Sequence, residues 1–362
     1  MTDAANPTIG ARGPAPRPAP EPRPAPEPRP APGPRSDPST PITPDWVMRM
    51  LEIASRAPSV HNTQPWRFAV RTHAIELYAD PARKVHQDAI GRQMLISCGG
   101  ALFGLRLAVR GLGRVPTVAL LPDPDHPALL ARVALGPEAP VTELERRMLG
   151  ALPHRHTHRG AFDPGPLPAG LLASLQHDAL AEGAMLALVD GTSGYPKLAA
   201  LVAEAARKQA VNPVARDEVL RWSRPPGSAS RDGVPAESFA PAGAAGPGRL
   251  AQRDFDLDRH LGLLPAPTPD EPPPPATAVL VTAGDLRIDW LRAGQALHRV
   301  LAHAAAAWVF ASLTTEPVEF PLIRDLIRAR LALPGTPQMV LQLGLASSSL
   351  ATARRPVPDV LL

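Results

Sequence analysis

The stretch Ile96-Ser-Cys-Gly-Gly-Ala-Leu-Phe-Gly-Leu-Arg-Leu-Ala108 is apolar on nearly every side of a helix, and its centre, Cys98-Gly-Gly-Ala-Leu102, returns as Ala293-Gly-Gln-Ala-Leu297 at an offset of 195 residues. A helix without a polar face belongs in the middle of a fold. Two such helices, each followed by alanine- and leucine-rich turns, point to one unit present twice in the chain, a pairing that imitates a two-fold dimer.

Working outward, Thr43 or Asp45 caps a helix carrying Trp46, Val47, Met50, Leu51 and Ile53, which ends by Pro58. Strands are expected over 66–70 and 75–78, the central helix over 88–110, strands over 117–121 and 131–135, and a helix over 141–152. The pattern then recurs, with a helix over 171–179, a strand over 185–189, and the segment 339–344 answering 131–135. Helices and short antiparallel strands together give the α+β class. The expected organisation is a Pro/Ala/Arg-rich tail over 1–43, a first half over 44–150 and a second half over 151–362. The second half is longer by a Pro/Gly/Ala-rich insertion at about 212–276, which reads as a lid or as unstructured chain.

Composition narrows the function classes. Of 48 prolines, 15 fall in the first 45 residues, where Arg17, Arg23 and Arg29 mark a period of six typical of polyproline II. The remaining stretch of about 317 residues, in a chain 44% hydrophobic and 20% charged, can build a substantial core. The run from Val300 to Leu313 is too short for a bilayer, and the start lacks a basic and then apolar leader, so a cytoplasmic protein without a membrane partner is expected. The formal charge of +4 comes mostly from arginine, since only Lys84, Lys197 and Lys208 are lysines. Those charges are spread without a basic stripe, which argues against nucleic acid. The single Cys98 excludes a disulfide framework and reads as a small core residue. GxGxxG after a strand, GxxxxGK[ST], GxSxG and HExxH are all missing. His154, His156 and His158 alternate as metal ligands could, yet no acidic or sulfur ligand accompanies them, and ordinary loop histidines are expected.

Two motifs carry chemistry. Ala57-Pro-Ser-Val-His-Asn-Thr-Gln-Pro-Trp66 is a proline-bounded loop whose Ser59, Asn62 and Gln64 suit a polar planar ligand. Arg155-His-Thr-His-Arg159 sets two guanidiniums around a hydroxyl, the donor set that a phosphate dianion calls for. One motif lies in each half.

With these motifs, the sequence resembles the nitroreductase family of flavin enzymes, and more narrowly its tandem-fused Acg type. Leu77-Tyr-Ala-Asp-Pro81, Ile96-Ser-Cys-Gly99, Asp232-Gly-Val-Pro235 and Arg354-Arg-Pro-Val357 add to the likeness, which spans about 45–362. The resemblance implies a nitroreductase-like fold whose two copies form a pseudo-dimer, with FMN at the interface. It assigns Arg155, Thr157 and Arg159 to the FMN phosphate, Thr157 standing where serine is usual, and adds Arg354 with Arg355 from the C-terminal region. It assigns Pro58, Ser59, Asn62 and Gln64 to the ribityl and ring portion. Glu319 and Phe320 fall where the family presents a backbone amide to flavin N5, although glycine is usual at the position of Phe320.

Because each half supplies one part of a single site, the resemblance implies one FMN per chain and no need to dimerise, so a monomer is expected, with a homodimer left open. It also implies NAD(P)H as hydride donor and a nitroaromatic, quinone or similar small molecule as electron acceptor, with no catalytic side chain beyond the flavin. A lid including Trp222, Arg224 and Arg231-Asp-Gly233 leaves the alternative open, a protein that holds FMN without turning over.

Overall fold

The computed structural model describes residues 41–239, 249–264, 276–346, 350 and 352–362. The polyproline repeat, Gly246-Pro-Gly248 and Pro272-Pro-Pro-Pro275 lie outside the described residues.

Helix α1 (Pro44–Ala54) starts where the Thr43 hydroxyl accepts the Trp46 N–H at 3.4 Å, with Pro44 at the first helical position. It buries Val47, Met50, Leu51 and Ala54. The hairpin β1 (Trp66–Arg71) and β2 (Ala74–Ala79) pairs Trp66 with Ala79 and Arg71 with Ala74. Helix α2 (Arg92–Gly111) begins four residues later than expected: the Asp88 carboxylate accepts the Met94 N–H at 2.9 Å, and Gly91, at φ 76°, turns the chain into the helix. Seventeen of its 20 residues are buried, so a helix long and apolar enough to cross a membrane is here a core helix. Strands β3 (Arg114–Leu120) and β4 (Leu129–Glu138) follow, then α3 (Glu143–Ala151), started by a Thr142/Glu145 capping box.

The second set comprises α4 (Leu171–Ala181), β5 (Met185–Leu188), α5 (Gly194–Ala210), α6 (Pro213–Trp222), the two-residue strands β6 (Ser223–Arg224) and β7 (Val234–Pro235), and β8 (Ala276–Thr282). It continues with α7 (Arg287–Ala305), β9 (Val309–Thr314), α8 (Glu316–Glu319), α9 (Pro321–Arg330), β10 (Thr336–Leu345) and α10 (Val357–Val360).

Two four-stranded antiparallel sheets result, ordered β1-β2-β4-β3 and β5-β8-β10-β9. Matching β1 with β5, β2 with β8, β3 with β9 and β4 with β10 makes the orders identical. The central helices meet at the repeated glycines. A Cβ on Gly99 would lie 2.3 Å from the Leu291 carbonyl oxygen, and one on Gly294 would lie 1.9 Å from the Ile96 carbonyl oxygen. Leu291 and Ile96 are themselves separated by the 195-residue offset, so the contact is reciprocal, as across a two-fold axis.

The surplus of the second half starts earlier than expected, at about 189 rather than 212. Helix α5 fills that interval and lays Leu198, Leu201, Val202 and Ala205 with Val279, Val281 and Val340 of the sheet, where Ile323 and Ile327 of α9 join them. All seven residues of β8 are buried, as a strand covered on both faces requires. A second addition, α8 and α9, sits between β9 and β10, where the first half spends only eight residues between β3 and β4.

Candidate functional site

The loop after α1 is held in a costly conformation. His61, Asn62 and Gln64 have φ of 49°, 53° and 51°, left-handed values that cost roughly 1–3 kcal/mol apiece for residues other than glycine. Its surroundings hold it there. Ser59 Oγ accepts the Gln64 N–H at 3.0 Å and Ser97 Oγ accepts the Val60 N–H at 3.4 Å. Asn62 Nδ2 donates to the carbonyls of Gly233 at 3.0 Å and Ala353 at 3.2 Å. Gln64 Nε2 donates to Arg231 O at 2.8 Å, and Gln64 Oε1 accepts the Arg355 N–H at 2.8 Å.

Opposite this loop the segment after α3 runs beside β9, His158 N–H donating to Ala311 O at 2.8 Å. A cleft of about 360 Å³ forms between them, lined by Pro58, Ser59 and Asn62 from one side and by Arg155, Thr157, Arg159 and Arg354 from the other. It adjoins a larger cavity of about 800 Å³ that shares Pro58, Ser59, Thr157 and Arg159. The larger cavity continues past Arg92 and Ser97 of α2 and Leu313 of β9 to Gln338 and Met339 of β10.

The charges in the smaller cleft are unbalanced. Arg155 is buried; its Nη2 donates to Arg56 O at 3.3 Å, while Nε and Nη1 have no partner among the described residues. Burial lowers the Arg155 and Arg159 guanidiniums to about 10, and burial together with Arg155 and Arg56 drives Arg354 well below its ordinary value. A buried cation with two half-buried cations lining the same cleft calls for an anion there. Two unmade donors on Arg155 are what a bound phosphate group would satisfy, so these residues fit the group expected there.

Several assigned residues play other parts. Arg354 lines the cleft but donates to the carbonyls of Ser55 at 2.9 Å and Ala57 at 3.1 Å, closing the C-terminal end of α1. Arg355 reaches Asp359 O and Gln64, and neither Arg355 nor Gln64 lines the clefts. Glu319 and Phe320 are also set back, and Thr315, Glu316 and Val318 line the cavity in their stead. The Glu319 carboxylate is occupied by Arg253 at 2.6 Å and Gln209 at 2.7 Å. The three histidines of the Arg155–Arg159 segment have separate partners: His154 stacks on Trp308, His156 Nδ1 meets His154 O at 3.0 Å, and His158 Nε2 meets Ala161 O at 2.6 Å, the rings of His156 and His158 meeting edge to face.

The expected lid lies partly elsewhere. Trp222 is buried with its indole N–H on Glu218 at 2.7 Å, and Arg224 pairs with Asp232 at 2.7 Å. The turn at 231–233 thus braces the 62–64 loop. Gly233 lines the smaller cleft, and the larger cavity is crossed by another part of the expected insertion, the described segment 249–256, which supplies Gln252, Arg253 and Phe255. Leu250 N–H bonds Gln342 Oε1 at 3.0 Å, Gln252 Nε2 bonds Ser312 Oγ at 3.0 Å, and Arg253 lies between Glu316 and Glu319. Burial raises the Glu316 carboxyl, with Arg253 opposing the rise. No motif announces this segment in the sequence, because the bonds that hold Leu250, Gln252 and Arg253 over the cavity go to residues 60 or more positions away.

Comparison with known proteins places the chain in a family. The Nitroreductase family model matches residues 37–118. The Mycobacterium tuberculosis protein named "Putative NAD(P)H nitroreductase Rv3131" is 34% identical over 304 residues, 83% of this chain and 85% of that one. The chain belongs to the nitroreductase family. Another member from the same organism, "Putative NAD(P)H nitroreductase acg", is 29% identical over 89% of this chain and 97% of its own. Among solved structures, the FMN-dependent nitroreductase NfnB from Mycobacterium smegmatis in complex with NADPH aligns at a TM-score of 0.35 and 16% identity, over 60% of this chain and 93% of that one.

Proposed function

We propose that this nitroreductase-family chain binds one FMN and passes hydride equivalents from NAD(P)H to a nitroaromatic, quinone or similar acceptor. The observation that carries the proposal is the convergence of Pro58, Ser59 and Asn62 with Arg155, Thr157, Arg159 and Arg354 on one cleft, where the Nε and Nη1 donors of Arg155 are unmatched. In this reading the two arginines and Thr157 hold the phosphate. Pro58, Ser59 and Asn62 set the ribityl chain, and the larger cavity between α2 and the β9–β10 edge takes the ring. FMN when bound supplies the redox chemistry at N5. Arg92, buried with its guanidinium on Gln338 Oε1 at 3.0 Å and Val318 O at 2.8 Å, places a positive charge on the cavity wall, where it favours electron-rich states of the occupant. The segment 249–256 keeps water from the cavity.

The repeated strand order and the Gly99–Gly294 contact support two copies of one unit fused as a pseudo-dimer. Both parts of the site then belong to one chain, so one flavin per monomer is expected. A second reading, FMN held without turnover, is favoured by the same segment, because Arg253 and Phe255 stand where a second molecule must enter. Anaerobic mixing with NADH or NADPH separates the two: rapid bleaching of the yellow flavin supports the enzyme, and persistent colour with both nucleotides refutes it.

A further inference from the structure

His61 is the most conspicuous unexplained polar group in the molecule. Its side chain is buried, with the residue 6% exposed, it lines the larger cavity, and neither ring nitrogen has a hydrogen-bond partner among the described residues. Its backbone sits at φ 49°, so the chain carries strain to place this ring. A neutral imidazole owns one N–H and one lone pair. Whichever tautomer is present, a donor and an acceptor are both left unmade, and an apolar residue would serve better if packing were the ring's only role. Burial, then Arg253 and Arg159, hold the ring well below its ordinary titration range, so it acts as a neutral hydrogen-bonding group.

The location selects what it would bind. His61 does not line the cleft of Arg155 and Arg354, so it is separate from the phosphate end. It meets Phe255 of the crossing segment edge to face, with ring centroids 5.4 Å apart, and therefore lies on the side by which a second molecule would approach a seated ring. Arg253 on that side is matched by Glu316 and Glu319, so the hydrogen-bonding capacity of the neutral ring, and not net charge, selects what binds there.

We propose that His61 hydrogen-bonds an oxygen of the electron acceptor, a nitro or quinone oxygen, and thereby selects oxygen-bearing planar acceptors. This inference rests on the functional reading above. It is tested with His61→Leu and His61→Gln in the full chain. Three readouts are taken: FMN affinity by flavin fluorescence, binding of para-nitrobenzoate to the oxidised holoprotein without NAD(P)H, read from the visible flavin spectrum, and steady-state KM and kcat.

The leucine variant should keep FMN affinity within about twofold, bind nitrobenzoate roughly tenfold more weakly and raise the acceptor KM by a similar factor with kcat little changed. Glutamine, which retains a donor, should recover most of the binding. Equal nitrobenzoate affinity in wild type and the leucine variant overturns the proposal, as does an absence of binding to wild type. A tenfold loss of FMN affinity also overturns it, because the ring would then serve the cofactor. If leucine prevents folding, loss of nitrobenzoate binding in the glutamine variant overturns the proposal and retention supports it. Nitrobenzoate binding that depends on His61 without any turnover would sink the enzyme reading while leaving this one standing.

Discussion

Replacing Arg155 by methionine separates cofactor binding from folding. In the ligand-free protein this guanidinium is a buried cation near Arg56 and Arg354, with two unmade donors and a pKa lowered to about 10 by burial. A basic group lowered on folding binds its proton less well in the native state than in the unfolded one. Its penalty is therefore present in full at neutral pH and is relieved only as the pH rises from about 10 toward the unfolded value. Methionine removes that penalty while filling much of the volume, so the apoprotein should melt no lower than wild type. FMN binding should suffer. A charge-assisted hydrogen bond is worth roughly 1.5–3 kcal/mol, and losing two from one fork should cost about 3 kcal/mol after non-additivity, or roughly 100-fold in affinity. Titration of the apoprotein with FMN and with riboflavin provides the assay. The FMN value should fall about 100-fold and the riboflavin value should stay within about twofold. Equal weakening of both ligands would mean that Arg155 acts through folding, and its assignment to the phosphate would have to be withdrawn.

Gly294→Ala should lower the urea midpoint by the equivalent of about 3 kcal/mol, because its Cβ meets the backbone oxygen of Ile96, which cannot rotate away; an unchanged midpoint would mean the helices do not touch there. Arg253→Ala leaves Glu316 and Glu319 buried without their cation, locally about 3–5 kcal/mol, so the 249–256 segment should detach and FMN should dissociate at least about tenfold faster. An unchanged release rate would show that this segment does not retain the cofactor. Absorbance of the purified protein should give one FMN per chain, and a sedimenting monomer should keep it; two flavins per chain, or loss on dilution, would refute the single-site reading.

Much of this was legible in the sequence where chemistry and spacing coincide locally. The Cys98-Gly-Gly and Ala293-Gly-Gln repeats located the two central helices, and the prolines at 58 and 65 bounded the loop that lines the cleft. The pairing of that loop with Arg155, Thr157 and Arg159 was expected from family resemblance, and the structure brings these residues together. What escaped depends on distant partners. Arg354 answers to the carbonyls that end α1, 297–299 positions away, which no local reading reveals. Glu319 and Phe320 matched by position, yet the Glu319 carboxylate is taken up by Arg253 and Gln209 and neither residue lines the cavity. Helix α5 is not legible locally, because its apolar stripe finds its partner only once β8 and β10 have formed.

The meeting of Ser59 and Arg155 on one polypeptide also changes the kinetics of assembly. In a protein whose site is shared between free subunits, the fraction of complete sites falls as the protein is diluted. Here the two contributors are 96 residues apart on a single chain. Their encounter is a first-order event governed by an effective concentration in the millimolar range, a figure that expression level does not alter. A cell making only a few copies of this protein would form as large a fraction of finished clefts as one making thousands.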